Sequence, residues 1–327
     1  MALELTQLNA ATEDLWNNTD PIDIKFTDNV LLWMLLKQSS KENFDDYFVK
    51  ASETVDGGKK IRVPLEYDEA NSGDYGQNTV ITQAKKDIIN AARFGWGGVF
   101  ASNGLGLDDQ VQNSGDRAMV ALADQYIQNV LKTAWKKLAS QVMTNSDTYG
   151  VDALIDDLFN TTTSTAYGSI AEDDMALWAA NVYDTADVID FECLQLLWRT
   201  PAIGQHRGKR PNLGITTEAL KDAYERSLQT QQRFSDQKMV EAGFDNILHK
   251  GAPICADDNM SASRFMALNT NFLKLKAHKK YNFTKPKWVA KEESGQPDKI
   301  NINTRWVGQL VCSHRKAHIY ANNLSES

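Results

Sequence analysis

The most restrictive feature of this chain lies near its middle, where residues 115–143 repeat an apolar pair every four positions. Leu122/Ala123, Tyr126/Ile127, Val130/Leu131, Ala134/Trp135, Leu138/Ala139 and Val142/Met143 fall on one face, and Asp124, Gln128, Lys132 and Lys136 form the opposite row. That spacing predicts one uninterrupted amphipathic helix. At ~1.5 Å per residue it is roughly 40 Å long, enough to act as the backbone of a domain. "TNSDTYG" ends it. A second constraint sits at the far end. "TRWVGQLVCSHR", residues 304–315, places Trp306, Val307, Leu310 and Val311 within the last two dozen positions. A strand so apolar and so late must return to something laid down much earlier.

Upstream of the helix, "KKIRVPLEY" (59–67) alternates cleanly, with Ile61, Val63, Leu65 and Tyr67 on one face and Lys60, Arg62, Pro64 and Glu66 on the other. Period-two alternation predicts a strand, and Pro64, which cannot donate to a ladder, puts it at an edge or in a projecting hairpin. "DEANSGDYGQNT" then supplies a polar, turn-rich tip, and the return limb runs from Val80 towards Phe100. The tip carries too little apolar surface to bury itself. Glycines at 95, 97, 98, 104 and 106 read as a flexible junction that ends the excursion. "SNGLGLDD" lacks the spacing, the further glycine and the lysine of a phosphate-binding loop.

The first fifty residues read as a loosely structured arm with two short amphipathic pieces, "TEDLW" and "FTDNVLLWMLLKQS". Thr27 or Asp28 is placed to cap the second piece. Trp33, Met34, Leu35 and Leu36 present more apolar area than so short a piece hides alone, so they need another surface: the chain's own core or a neighbouring subunit. After residue 148 the pattern is mixed. "YGVDALIDDLF" and "EDDMALWAANVYD" read as short helical or turn segments, and "FECLQLLWRTPAIG" as an apolar run with a Pro/Gly stop. "TTEALKDAYERSLQ" reads as a helix with Leu220, Ala223, Tyr224 and Leu228 on one side; 247–258 and 264–276 read as strands around a loop.

A chain of 327 residues that is 42% hydrophobic and 24% charged belongs among folded globular proteins, with room for one large core or several subdomains. No apolar run approaches the length of a membrane span, so no membrane partner is expected. The acidic start "MALELTQLNAATEDLW" lacks the layout of a signal peptide. Cys193, Cys255 and Cys312 are too scattered for a disulfide framework, which fits a reducing interior. The net charge of −8 argues against a dedicated nucleic-acid binder. It is unevenly spread: residues 1–57 hold eleven acids against four lysines, whereas 264–291 hold eight Lys/Arg and no acid. Such poles suggest complementary surfaces, within the chain or between copies.

Signals for chemistry are thin. Cys312, His314 and His318 would share one face of a regular strand, but Lys316 shares it too and no zinc spacing is met. Glu241 with His249, or Asp257 and Asp258 beside Cys255, can be drawn as acid–base pairs without any specificity. No Gly-x-Ser-x-Gly elbow and no His-Glu-x-x-His occurs. The expectation is therefore a non-enzyme, with no catalytic, cofactor-binding or metal-ligating residue assigned and no cofactor.

Three segments carry a resemblance: "YGSIAEDDMALW" (167–178), "FDNILHKGAPICADDNMSASRFMALNTNFLKL" (244–275) and "INTRWVGQLVCSHRKAHIYAN" (302–322). They look like the major capsid proteins of tailed bacteriophages, of the Hong Kong 97 type, and the order of elements along nearly the whole chain agrees. The resemblance implies an α+β capsid fold with an N-terminal arm (1–57), an extended β-hairpin loop (58–100) and a peripheral domain with a long spine helix (101–147). It further implies a mainly axial domain (148–295) and a return strand of the peripheral domain (296–327), with Trp306–Cys312 lying beneath the spine. Gly251 and Pro253 match the family's axial turn and strand; Asn269, Leu273 and Leu275 match the strand pattern after it. The implied function is self-assembly into hexamers and pentamers of an icosahedral or prolate head shell that encloses viral double-stranded DNA. The implied location is the virion, after assembly in the host cell cytoplasm. Implied partners are further copies, a separate scaffolding protein, a portal protein at one vertex, decoration proteins, and packaged DNA by non-specific contact only. The arm-like pattern begins within the first thirty residues, which leaves no room for a cleaved scaffolding segment and leads us to expect a separate scaffold. Lys85 and Lys86 lie on the loop, but nothing selects an Asn for a covalent cross-link. The alternatives are a minor head or decoration protein and a soluble metal-dependent enzyme.

Overall fold

The computed structural model describes residues 29–32, 35, 53–66, 68–74, 76–77, 85–106, 116–145, 147–161, 166–172, 175, 178–204, 209–228, 245–284, 287–289 and 299–326. Most of the expected arm, including "TEDLW", therefore lies outside the described residues, as do Glu241 and part of the hairpin tip.

The long helix α1 spans Asp116–Met143. From Ile127 onward its apolar pairs are buried, as the period requires. They lie on a five-stranded sheet with β13 (Lys299–Cys312) at its centre. One edge of β13 pairs along ten residues with β4 (Gly97–Gly106), antiparallel, with Trp306 opposite Val99. The other edge is shared by β12 (Lys287–Val289) and β11 (Leu273–His278), and β1 (Glu53–Val55) pairs in parallel on the outside of β11. Even-numbered residues of β13 point at the helix: Ile302, Thr304, Trp306 and Leu310 are all buried. Trp135 of α1 stacks on Phe283 at 4.3 Å, and Phe283 touches the Trp306 ring at 6.4 Å. A buried indole removes roughly 200 Å² from water, a driving force on the order of 5 kcal/mol. The late apolar strand thus closes the sheet beneath the long helix.

The expected flexible junction of glycines is corrected here. Gly97, Gly98, Gly104 and Gly106 all sit within β4. Gly97 is required because a Cβ would collide with the Gly150 carbonyl where the 149–150 turn crosses the strand, and the Gly98 N–H donates to the Tyr149 carbonyl at 3.0 Å. Close backbone approach, rather than looseness, selects glycine. The return limb of the hairpin ends accordingly at Phe94.

The second sheet has six strands in the order β5 (Val182–Tyr183), β14 (Ile319–Ala321), β10 (Phe265–Leu268), β7 (Leu213–Thr216), β9 (Ala252–Ala256) and β8 (Asn246–His249). A two-stranded parallel pair, β6 (Asp187–Val188) with β15 (Leu324–Ser325), extends one end. Helix α2 (Phe191–Arg199) starts where the Asp190 carboxylate accepts the Cys193 N–H at 2.7 Å, and buries Leu194, Leu197 and Trp198. Helix α3 (Glu218–Ser227) is capped by Thr217 and buries Leu220, Ala223, Tyr224 and the following Leu228.

Sheet membership divides the chain differently from the boundaries 148–295 and 296–327. Strands β11 and β12 join the α1 sheet, whereas β14 belongs to the six-stranded sheet. After β4 the chain passes to the six-stranded sheet by way of α1, and it crosses again after Leu268 and after Cys312, each of these two times through a single 3-10 turn, Thr270–Phe272 or Arg315–Ala317. At the beginning of the chain the structure describes five residues. Residues 30–32 and 35 are helical, and Val30, Leu31, Leu32 and Leu35 are buried in the chain's own core. Of the four residues expected to need cover, Leu35 finds it on the chain's own core, and Trp33, Met34 and Leu36 lie outside the described residues.

Candidate interaction surfaces and buried polar sites

Cys312, His318, His249 and Asp257, among the groups considered for chemistry, are held by structural contacts. The strand ends at Cys312, so Cys312, His314 and His318 do not form one strand face. The turn instead brings Cys312 Sγ to 3.4 Å from His318 Nε2, while His318 Nδ1 accepts the Asn269 N–H at 3.0 Å. Nδ1 accepting means that Nε2 carries the proton and points it at sulfur. Burial pushes His318 down to about 3 and the Cys312 thiol up to about 12, so both stay neutral across the physiological range. His314 packs on the Phe272 ring at 5.5 Å. His249 Nδ1 meets the Tyr224 hydroxyl at 2.9 Å, and burial lowers this histidine to about 4. Among the described residues no group of three His, Cys, Asp or Glu is placed to hold a metal, and none of the three cysteines is in a disulfide.

Asp257 is buried and Asp258 exposed. Asp257 accepts the Asn259 backbone and side-chain N–H groups at 3.0 and 3.2 Å, and also the Leu31 N–H. Asn259 donates to Asn29 Oδ1 at 2.7 Å. This cluster pins the helical start of the described chain onto the β9–β10 turn.

Arg315, only a flanking basic residue in the sequence, is the most connected polar side chain at the junction of the two sheets. It is fully buried, lies 5.3 Å from the Tyr167 ring, and pairs with Glu172 at 2.6 Å. It also donates to the carbonyls of Asp157, Leu158, Asn160 and Trp178. A planar five-donor fork suits a pocket lined by carbonyls. The π-helical turn Leu154–Leu158 is tied in as well. Asp156 accepts the Asn145 N–H just beyond α1, and Asp157 accepts the Ala153 N–H, both at 2.7 Å. Nearby, Gln309 Oε1 accepts the Asp152 N–H at 2.7 Å. Burial, with the Asp157 charge adding to it, raises the Asp152 carboxyl to about 7.

The outward features are of another kind. The hairpin pairs β2 (Ile61–Glu66) with β3 (Ile89–Phe94), Ile61 opposite Phe94 and Glu66 opposite Ile89. Its base is anchored. Ile61, Leu65, Ala92 and Phe94 are buried, and Phe94 meets Tyr167 edge-on at 5.2 Å. Arg93 N–H donates to the Gly168 carbonyl at 2.7 Å. Gly168, at φ +60°, leaves no room for a Cβ against Ala92 and Phe94. Away from the base, Ile89 is 69% exposed, and the limbs are held to each other by Lys86–Asp68 at 2.8 Å. A second apolar surface lies on the outer face of the α1 sheet. Phe100 (71% exposed) and Tyr149 (84%) rim a shallow cavity of about 660 Å³ with Trp96, Arg305 and Val307. Among the described residues the charge poles meet where Lys279 lies 3.4 Å from Asp56. Both are exposed, so the pair contributes little.

At the level of sequence, no family profile and no curated protein matches the chain. Solved structures do. The capsid of cyanophage A-1(L) superposes with a TM-score of 0.67 at 13% identity, covering 94% of each chain. The capsid of a native GTA particle gives 0.55 at 10% identity over 89% of this chain and 90% of that one. A virus-like particle from Pyrococcus furiosus gives 0.51 at 11% identity over 97% and 99%. At such identities the likeness is one of fold, and the α+β architecture resembles the Hong Kong 97-type capsid fold across all three.

Proposed function

We propose that this chain is a shell-forming structural protein, the major capsid subunit of a phage-type head. The observation that carries the reading is the likeness to the cyanophage capsid chain over 94% of both molecules. The hairpin adds physical support, because beyond its anchored base Ile89 is exposed and, among the described residues, β2 and β3 pair with no further strand. In this reading copies complete one another. The hairpin of one lies on the next, and hexamers and pentamers close an icosahedral or prolate shell around double-stranded DNA in the virion. A separate scaffolding protein, a portal at one vertex and decoration proteins complete the set of partners. Many weak contacts repeated around the shell give rigidity without one tight bond. The net charge of −8 keeps the wall from gripping packaged DNA. No catalytic step is assigned. Electron microscopy and sizing of the purified chain, with and without a scaffolding protein, test the proposal. Closed shells are expected; a monodisperse monomer under every condition overturns it.

A further inference from the structure

The six-stranded sheet carries opposite charges at diagonally opposite corners. At one corner Lys250, in the β8–β9 turn, joins Arg199 in the last turn of α2 and Arg210 ahead of β7 around a cleft of about 650 Å³. Its floor includes Trp198 and Pro211, and Glu192 is the acid on its wall, so three cations face one carboxylate. Arg199 and Lys250 make no ion pair among the described residues. Burial, with the charges of Arg210 and Arg199, holds the Lys250 ammonium below its ordinary pKa.

The other corner is a projecting turn. Residues 184–188 are all exposed, with Asp184 and Asp187 as its charges and Val188 as an apolar tip. Their hydrogen-bond partners are neutral: Asn322 and Asn323 donate to Asp184, and the Tyr183 hydroxyl to Asp187. Strand register fixes the placement. Tyr183, Ala321, Phe265, Thr216 and Ala256 form one transverse row, whereas Lys250 follows His249 at the opposite end of the strand on the far edge. Six strands at about 4.8 Å put the two edges roughly 24 Å apart.

A knob and a complementary hole on opposite sides of one body cannot meet within that body. They meet head to tail between copies, and such a contact closes a ring when the rotation per copy divides a full turn. We propose that the acidic 184–188 turn of one copy seats in the Arg199–Arg210–Lys250 cleft of the next, and that this contact sets the register of the ring. The inference rests on the shell-subunit reading and names its partner surface.

The test uses the full chain and two charge reversals, R199E/K250E and D184K/D187K. Each alone is expected to raise the concentration for half-assembly at least about tenfold, with an unchanged thermal midpoint, because like charges then face each other. Combining all four substitutions restores assembly. Mixing the two variants restores six-membered rings and not five-membered ones, since alternation needs an even number of copies. Native mass spectrometry reads ring size, and about 0.5 M salt weakens the wild-type rings. Reversal variants that assemble like wild type, or a fourfold variant that fails to recover, overturn the contact alone. Loss of DNA retention by R199E/K250E with rings intact reassigns the cleft to phosphate and also overturns it. Wild-type protein that never forms rings overturns the contact and the shell reading together.

Discussion

Strand β13 and the hairpin β2–β3 both alternate along their length, yet only β13 finds company on both edges. β13 is flanked by β4 on one side and by β11 and β12 on the other, with α1 across its inner face. Among the described residues β2 and β3 pair with each other alone, and Ala92 and Phe94 are buried where the base meets Tyr167 and Gly168. The same period-two signal therefore encodes two different fates. Alternation specifies a face to be covered, and the number of strands nearby decides whether this chain or another covers it.

The comparison is broken most strongly at its buried end. Trp306→Ala should cost about 3–5 kcal/mol, because a cavity of that size under a long helix cannot collapse; an unchanged midpoint in thermal unfolding contradicts the packing of β13. Glu172→Gln keeps a hydrogen-bond acceptor but removes the charge facing Arg315, and should cost about 1–3 kcal/mol in denaturant titration. Asp152→Asn sharpens the account through pH. The folded-state carboxyl lies near 7, above its ordinary 3.8, so the native state holds the proton more tightly than the unfolded chain. Its contribution is fully present below about 3.8 and is lost as pH rises to about 7. The variant should remove that decline and be the more stable protein above neutrality; an unchanged pH–stability profile contradicts the burial of Asp152. At the exposed end the expected effect on stability is smallest. Ile89→Ser, and deletion of 68–78, should leave the subunit folded, the substitution within about 0.5 kcal/mol of wild type. Both should stop closed shells from forming; normal shells in electron micrographs contradict the interlocking role.

Legibility followed the physics of each element. The helix over 115–143, the first hairpin limb and the late strand were readable because long periodic patterns leave few alternatives. The glycines of β4 were misread because glycine is unfavourable in strands, and only the crossing of the 149–150 turn explains Gly97. Leu31 and Leu35 announced a need for cover without saying whose, and the Asp257–Asn259–Asn29 cluster that anchors them joins positions far apart in sequence. Arg315 was hidden for a similar reason: its partners are mostly backbone carbonyls, which leave no side-chain signature. The exchange of β11 and β14 between sheets was unreadable, since each is a short strand beside a turn. Among the described residues, the Asp56–Lys279 pair joins the charge poles within the chain; the cleft at Arg199, Arg210 and Lys250 came from three separate elements.

The central claim is that the hairpin completes a sister copy rather than its own body. Cross-linking mass spectrometry on particles assembled from an equal mixture of light- and heavy-isotope protein tests it directly, through Lys85, which stands 91% exposed on the returning limb. The account predicts that about half of the Lys85 cross-links to the body appear as light–heavy pairs, the statistical share for links between copies. Cross-links confined to light–light and heavy–heavy pairs would place the hairpin on its own molecule and contradict it.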